Sequence, residues 1–146
     1  NKGLCYSISA FHWGYRDTGL FGVHAATGEE DLARLMPSLA EEIARSIDGI
    51  DDAEIRRAKA QLRAGLLMSL ESPVSRASQI ARQMLVWGRP FTTAEVLERI
   101  EAVDRARVAR LAGEIFLASP PTLALVGPVG RAMSRDDFAG RLAAGA

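Results

Sequence analysis

The chain has 146 residues, 48% of them hydrophobic and 25% charged, with 18 basic and 18 acidic residues and a formal net charge of zero. That size and composition suit one globular domain and exclude a disordered tail. The balanced charge lacks the electrostatic footprint of a nucleic-acid binder, and no apolar run reaches the ~18 residues of a membrane span.

Residues 3–23 read as a β-hairpin that starts almost at residue one. Asp17-Thr18-Gly19 suits a three-residue loop with Gly19 in the left-handed conformation. In that register residue 16 faces residue 20. One face then carries Phe11, Trp13, Tyr15, Phe21 and Val23 as core, and the other carries Tyr6, Ile8, Ala10, His12, His24 and Ala26. A strand at the very start has no preceding element to pair with. The chain is therefore expected to be a piece of something longer, its first elements missing. The lone cysteine, Cys5, excludes an internal disulfide or thiolate cluster and reads as a small buried hydrophobe.

After the hairpin the apolar period changes from 2 to 3.6. Thr27-Gly28-Glu29-Glu30 reads as a capping box, and Leu32, Leu35, Met36, Leu39, Ile43 and Ile47 mark one face of a helix to about Asp48, with a kink expected at Pro37. Asp51 with Glu54 opens a second helix with Ile55, Ala58, Leu62, Leu66 and Leu70 on its apolar face. Pro73 suits the first position of a third, which carries Ala77, Ile80, Ala81, Met84 and Leu85 and stops at Gly88. Thr92 with Glu95 caps a short fourth helix and Asp104 a fifth through Ile115. Thr122 to Gly127 reads as a buried strand, and Ser134 to Leu142 as a last helix. The expected class is α+β, a mostly antiparallel sheet covered on one face by helices.

Few residues carry chemistry. Asp17-Thr18-Gly19 matches the short motif of aspartic proteases, but that chemistry needs paired carboxylates in a nearly all-β protein. His12 and His24 face each other in the register above, yet two histidines make an incomplete zinc site, since catalytic zinc takes three protein ligands. Neither His-x-x-Glu-His nor His-Glu-x-x-His occurs, nor does a phosphate loop or a nucleophile elbow. No metal ligand set is expected. Arg56, Arg57, Arg63, Arg76 and Arg82 on the second and third helices read as solvated faces.

Lys2-Gly3-Leu4-Cys5-Tyr6-Ser7-Ile8, Asp17-Thr18-Gly19-Leu20-Phe21, Ala58-Lys59-Ala60-Gln61-Leu62, Leu70-Glu71-Ser72, Ser75 to Gln83 and the Thr122 to Pro128 stretch are more specific. Together they resemble the C-terminal domain of the pitrilysin/insulinase family of metallopeptidases, which includes the mitochondrial processing peptidase. The likeness covers about residues 2–129 in order and spacing, leaving 130–146 as a C-terminal helix of a single C-terminal domain. It implies a processing-peptidase-like half-domain with its first elements missing.

In that family a catalytic half carries the inverted zinc motif, and a second half of similar fold closes over it to form a chamber. This sequence resembles the second half. The resemblance implies a parent zinc metallopeptidase whose zinc is bound by the other half, with no cofactor held here. The implied partners are that zinc-bearing half, in the same chain or a separate subunit, and peptide substrates. Family members often carry an Arg followed seven residues later by a Tyr, both reaching toward substrate. Tyr6 matches the Tyr, and the Arg would fall one residue before Asn1. Tyr6 is thus expected to hydrogen-bond the substrate backbone or a developing oxyanion, with Ile8, Ala10 and His12 lining the chamber and pairing with an extended peptide. The alternative is a catalytically inactive family member serving as a scaffold or interaction domain; a small-ligand-binding α+β domain is a third reading. A sheet lacking its first strand presents an unpaired edge, so self-association is expected.

Overall fold

The computed structural model describes residues 3–145. Its order is β1 (Ser7–Gly14), β2 (Gly19–Ala26), α1 (Glu29–Asp48), α2 (Asp52–Ser69), α3 (Pro73–Trp87), α4 (Thr93–Glu101), α5 (Arg105–Phe116) and α6 (Arg135–Ala144). The class is α+β: the described residues form six helices and one two-stranded antiparallel sheet. The chain divides into two compact units, one made of the chain through His12, Phe21–Ile50 and everything from Val108, the other of Trp13–Leu20 and Asp51–Arg107.

The hairpin departs from its expected register. Tyr15 donates its N–H to the Thr18 carbonyl at 2.9 Å, so the loop is Arg16-Asp17. Among the described residues only Gly3, Gly88 and Gly127 have positive φ, and Gly19 simply begins β2. Two residues without positive φ close this turn, and the left-handed position is not needed. The pairing therefore shifts by an odd number of residues, which turns one strand over relative to the other. The Phe11 ring now lies over Gly22, where an added Cβ would come 2.3 Å from Phe11 Cζ. Even residues of β1 share a face with odd residues of β2. Phe21 and Val23 thus keep company with Ala10 and not with Phe11, and Trp13 and Tyr15 are exposed rather than core.

In the first unit the core forms where α1 meets α6. Leu32, Met36, Ala40 and Phe138 make one buried cluster, with Leu39, Ile43, Leu123, Ala132 and Met133 against it. The small residues of α1 set how near α6 comes: Ala40 is fully buried, and a Cβ on Gly145 would sit 3.0 Å from Ala44 Cβ. Burying a ring such as Phe138 contributes about 1.5–3 kcal/mol. Thr27 does not cap α1. Its hydroxyl donates to the Leu4 carbonyl at 2.6 Å, so the cap falls to Gly28 with no side-chain bond. Glu29, Glu30 and Asp31 in the first turn still complement the helix dipole. The helix runs through Pro37 to Asp48 as the periodicity indicates.

Thr122 to Gly127 is not a strand. The sheet contains only β1 and β2 among the described residues, so this segment has no ladder partner. Leu123 packs on the α1–α6 core instead, while Val126 is fully exposed.

In the second unit the helix ends follow local chemistry. Asp51 and Glu54 form a capping box on α2, as do Thr92 and Glu95 on α4, and Ser72 caps α3 with Pro73 at its first position. Gly88 ends α3 at φ 73°, a left-handed conformation suited to glycine. Lys59 donates Nζ to the Glu101 carbonyl at 2.7 Å, satisfying a carbonyl at the end of α4 and joining it to α2. The apolar face expected to be buried on α3 is exposed. Its half-buried residues are Gln79, Gln83 and Val86, spaced i, i+4, i+7, and Gln83 Oε1 accepts from the Phe91 N–H at 2.8 Å. Turning that polar face inward forces Ile80, Met84 and Leu85 outward.

Candidate functional site

Tyr6 stands one residue before β1 and is tied to β2 by its N–H, which donates to the Ala26 carbonyl at 2.8 Å. Its side chain is 85% exposed. The hydroxyl lies near the start of α1, where a Cβ on Gly28 would come 3.4 Å from it. A half-buried strand tyrosine is therefore not what the fold contains: the backbone is anchored, and the phenol is presented to solvent.

Ile8, Ala10 and His12 follow on alternate positions of β1, all exposed by area. Tyr6 and Tyr15 stand at opposite parity, yet both donate their N–H to the β2 side of the hairpin, so the ladder changes phase between them, and Ile8, Ala10 and His12 lie on the strand that carries one open edge of the sheet among the described residues. Ala10 shares the face of Phe21 and Val23. There Ala10 helps line a hollow of about 360 Å³, closed by Ile43 of α1 and by Val108, Leu111, Ile115 and Phe116 of α5. Phe21 meets Phe116 edge to face, centroids 5.2 Å apart. The wall supplied by α5 could have been read from its i, i+3, i+7 apolar spacing. Its meeting with the hairpin could not, because the expected register put Phe21 opposite the wrong neighbours.

His12 and His24 do not face each other; in the observed register they fall on opposite faces of the sheet. No group of three or more His, Cys, Asp or Glu residues among the described ones could hold a metal ion. Nor is any helix among them long and apolar enough to cross a membrane.

A group that the sequence reading passed over surrounds Phe91. Arg89 and Arg99 lie over its ring at 4.3 and 4.1 Å, and Trp87 packs edge to face at 6.0 Å. Arg89 also donates to Glu95 at 2.8 Å. That bond, joined by the Thr92 N–H, pulls the Glu95 carboxyl down to a pKa of about 2.

The family description "Peptidase M16 inactive domain" matches residues 1–62. The probable mitochondrial-processing peptidase subunit beta of Arabidopsis thaliana is 36% identical over 126 residues, 86% of this chain and 24% of that protein. The uncharacterized zinc protease YmxG of Bacillus subtilis is 34% identical over 131 residues, 89% of this chain and 32% of that protein.

The chain belongs to the M16 peptidase family, as its C-terminal, inactive-type domain.

The mitochondrial-processing peptidase subunit beta of Rattus norvegicus gives the same picture, 30% identical over 88% of this chain and 26% of its own length. The chain therefore spans about a quarter to a third of the curated relatives it matches. A chain in the structure of "Complex III2 from Candida albicans, Inz-5 bound" shares the fold at a TM-score of 0.87 and 20% identity, over 97% of this chain and 34% of that one. The M16 domain assignment agrees with the resemblance carried by Tyr6, Asp17-Thr18-Gly19 and the Ser75 to Gln83 helix. The residues matched by the family description include β1, β2, α1 and Tyr6.

Proposed function

We propose that this M16 domain is the non-catalytic, substrate-chamber half of a zinc-dependent metalloendopeptidase. The observation that carries the reading is Tyr6: a phenol held out into solvent from an anchored backbone, beside the free edge of β1. A peptide is an extended chain whose amides seek partners, and an open strand edge supplies them by β-addition. Ile8, Ala10 and His12 lie along the strand that borders that edge, and the Tyr6 hydroxyl then donates to a substrate carbonyl. In this reading zinc is held by the other half, in the same chain or in a partner subunit. That half supplies the hydrolytic chemistry; this one binds and orients the peptide. Among the described residues both edges of the sheet are open, and edge-to-edge self-association of the isolated chain is the expected behaviour.

The test is Tyr6→Phe in the intact peptidase that contains this domain. Loss of a hydrogen bond that strengthens in the transition state lowers kcat/KM by on the order of 10–100-fold. Unchanged hydrolysis with normal folding removes the role of Tyr6. An intact parent with no peptidase activity at all, zinc loaded, replaces the enzyme reading with that of a scaffold.

A further inference from the structure

Tyr6 owes its place to its backbone. The ring is exposed, and among the described residues its hydroxyl has no hydrogen-bond partner to hold it. Two hydrogen bonds bracket the main chain instead. The Tyr6 N–H donates to the Ala26 carbonyl at 2.8 Å, and the Thr27 hydroxyl donates to the Leu4 carbonyl at 2.6 Å. Only Cys5 stands between them, so residues 4–6 are clipped to the end of β2 and the entry to α1.

The Thr27 hydroxyl has a local alternative that it does not take. Thr27-Gly28-Glu29-Glu30 carries the pattern of a capping box, yet α1 begins at Glu29 with Gly28 as its cap and no side-chain cap bond. The hydroxyl reaches 23 residues back along the chain instead, from a half-buried position. Leu4 is thereby fixed twice, its side chain by burial and its carbonyl by Thr27. Gly3 before it turns the chain at φ 59°, a left-handed conformation that glycine adopts cheaply. Tyr6 follows two residues later, and an added Cβ on Gly28 would come 3.4 Å from its hydroxyl. Ala26, Thr27 and Gly28 thus meet in turn the Tyr6 amide, the Leu4 carbonyl and the Tyr6 phenol.

We infer that Thr27 is a positioning residue of the substrate site: its hydroxyl fixes the Leu4–Tyr6 backbone and so sets where the Tyr6 phenol meets a peptide. The inference rests on the chamber reading of Tyr6 and adds to it a residue that acts only through that phenol. Placement matters because a hydrogen bond formed in the transition state is steep in distance; a misplacement of about 1 Å costs on the order of 100-fold. Thr27 lies beyond the strand along which a peptide would pair, so its loss leaves that pairing in place. The effect therefore falls on kcat and not on KM. Valine keeps the shape of threonine without the donor, leaving the Leu4 carbonyl unsatisfied. Serine keeps the donor.

The experiment compares Thr27→Val and Thr27→Ser in the intact peptidase that contains this domain, each alone and combined with Tyr6→Phe. Thr27→Val is expected to lower kcat about tenfold with KM changed less than about twofold, and Thr27→Ser to recover most of that loss. In the Tyr6→Phe background Thr27→Val should cost nothing further, because no phenol is left to place. A second measurement uses this chain and no substrate. The chain holds two tyrosines, so ring-labelled tyrosine gives one NMR signal for Tyr6 and one for Tyr15, told apart by Tyr15→Phe. Thr27→Val should shift the Tyr6 signal and speed exchange of the Tyr6 amide at least about tenfold, with the Tyr15 signal unmoved. Should the valine variant fail to fold, Thr27→Ala takes its place. Full activity of Thr27→Val beside an impaired Tyr6→Phe overturns the inference. So does a loss that adds to that of Tyr6→Phe, or a Tyr6 signal and amide indifferent to Thr27→Val. A silent Tyr6→Phe removes the chamber reading alone, and the Tyr6 signal and amide then decide whether Thr27 places the phenol.

Discussion

Ala40 shows how little room a single residue can leave. It is fully buried between α1 and α6, in contact range of the cluster that includes Phe138. Ala40→Leu inserts three carbons where no space exists, and the expected loss is about 1–3 kcal/mol in denaturant unfolding; an unchanged midpoint would show that the interface gives way freely. Tyr6 is the opposite case, a large side chain held in solvent by a fixed backbone. Both residue types were visible in the sequence, and neither environment was. Ala40 was passed over because alanine carries no pattern of its own. Tyr6 was singled out by resemblance, and its exposure came only with the tertiary structure.

At the level of elements, helix ends were the most legible features, because capping is a matter of three or four consecutive residues. Asp51/Glu54, Ser72-Pro73, Gly88 and Thr92/Glu95 all stand where local chemistry places them. Thr92→Ala removes the cap of α4 and is expected to lower stability by about 0.5–2 kcal/mol, read by chemical denaturation. Glu95 gives the same element a pH signature. Its carboxyl pKa is lowered from 4.5 to about 2 by the Arg89 bond first and the Thr92 N–H next. A group depressed on folding contributes stability that is present above its ordinary pKa and is lost as pH falls toward its folded value. The linkage therefore fades between about pH 4.5 and 2. A carbon-detected titration of Glu95 with its midpoint in the ordinary carboxylate range would contradict the Arg89 bond. Thr27 is the cap that failed: a hydroxyl bonded to Leu4, 23 residues away, outbids a local amide, and no local rule sees that.

For the molecule as a whole, burial is uneven. Most of the buried residues lie on α1 and α6, with Leu4 and Ala112 of α5 besides, whereas α2, α3 and α4 contain none. Hydrogen exchange should find amides around Ala40 and Phe138 protected longest and those of α2 and α3 opening earlier, since local stability follows buried apolar contact. Equal protection across all helices would refute this ranking.

By itself the sequence determined the class, the number and ends of the helices, the absence of a zinc motif and the family to which the chain belongs. These depend on periodicity, capping and short motifs, all local in the chain. Tertiary structure decided the rest: a loop at Arg16-Asp17 that turned the strands over, a Thr122 to Gly127 segment left without a ladder, and an α3 that faces solvent with its apolar side. A strand's face and a helix's buried side are properties of what lies opposite. Period alone says that a face exists, and only the neighbours choose which way it points.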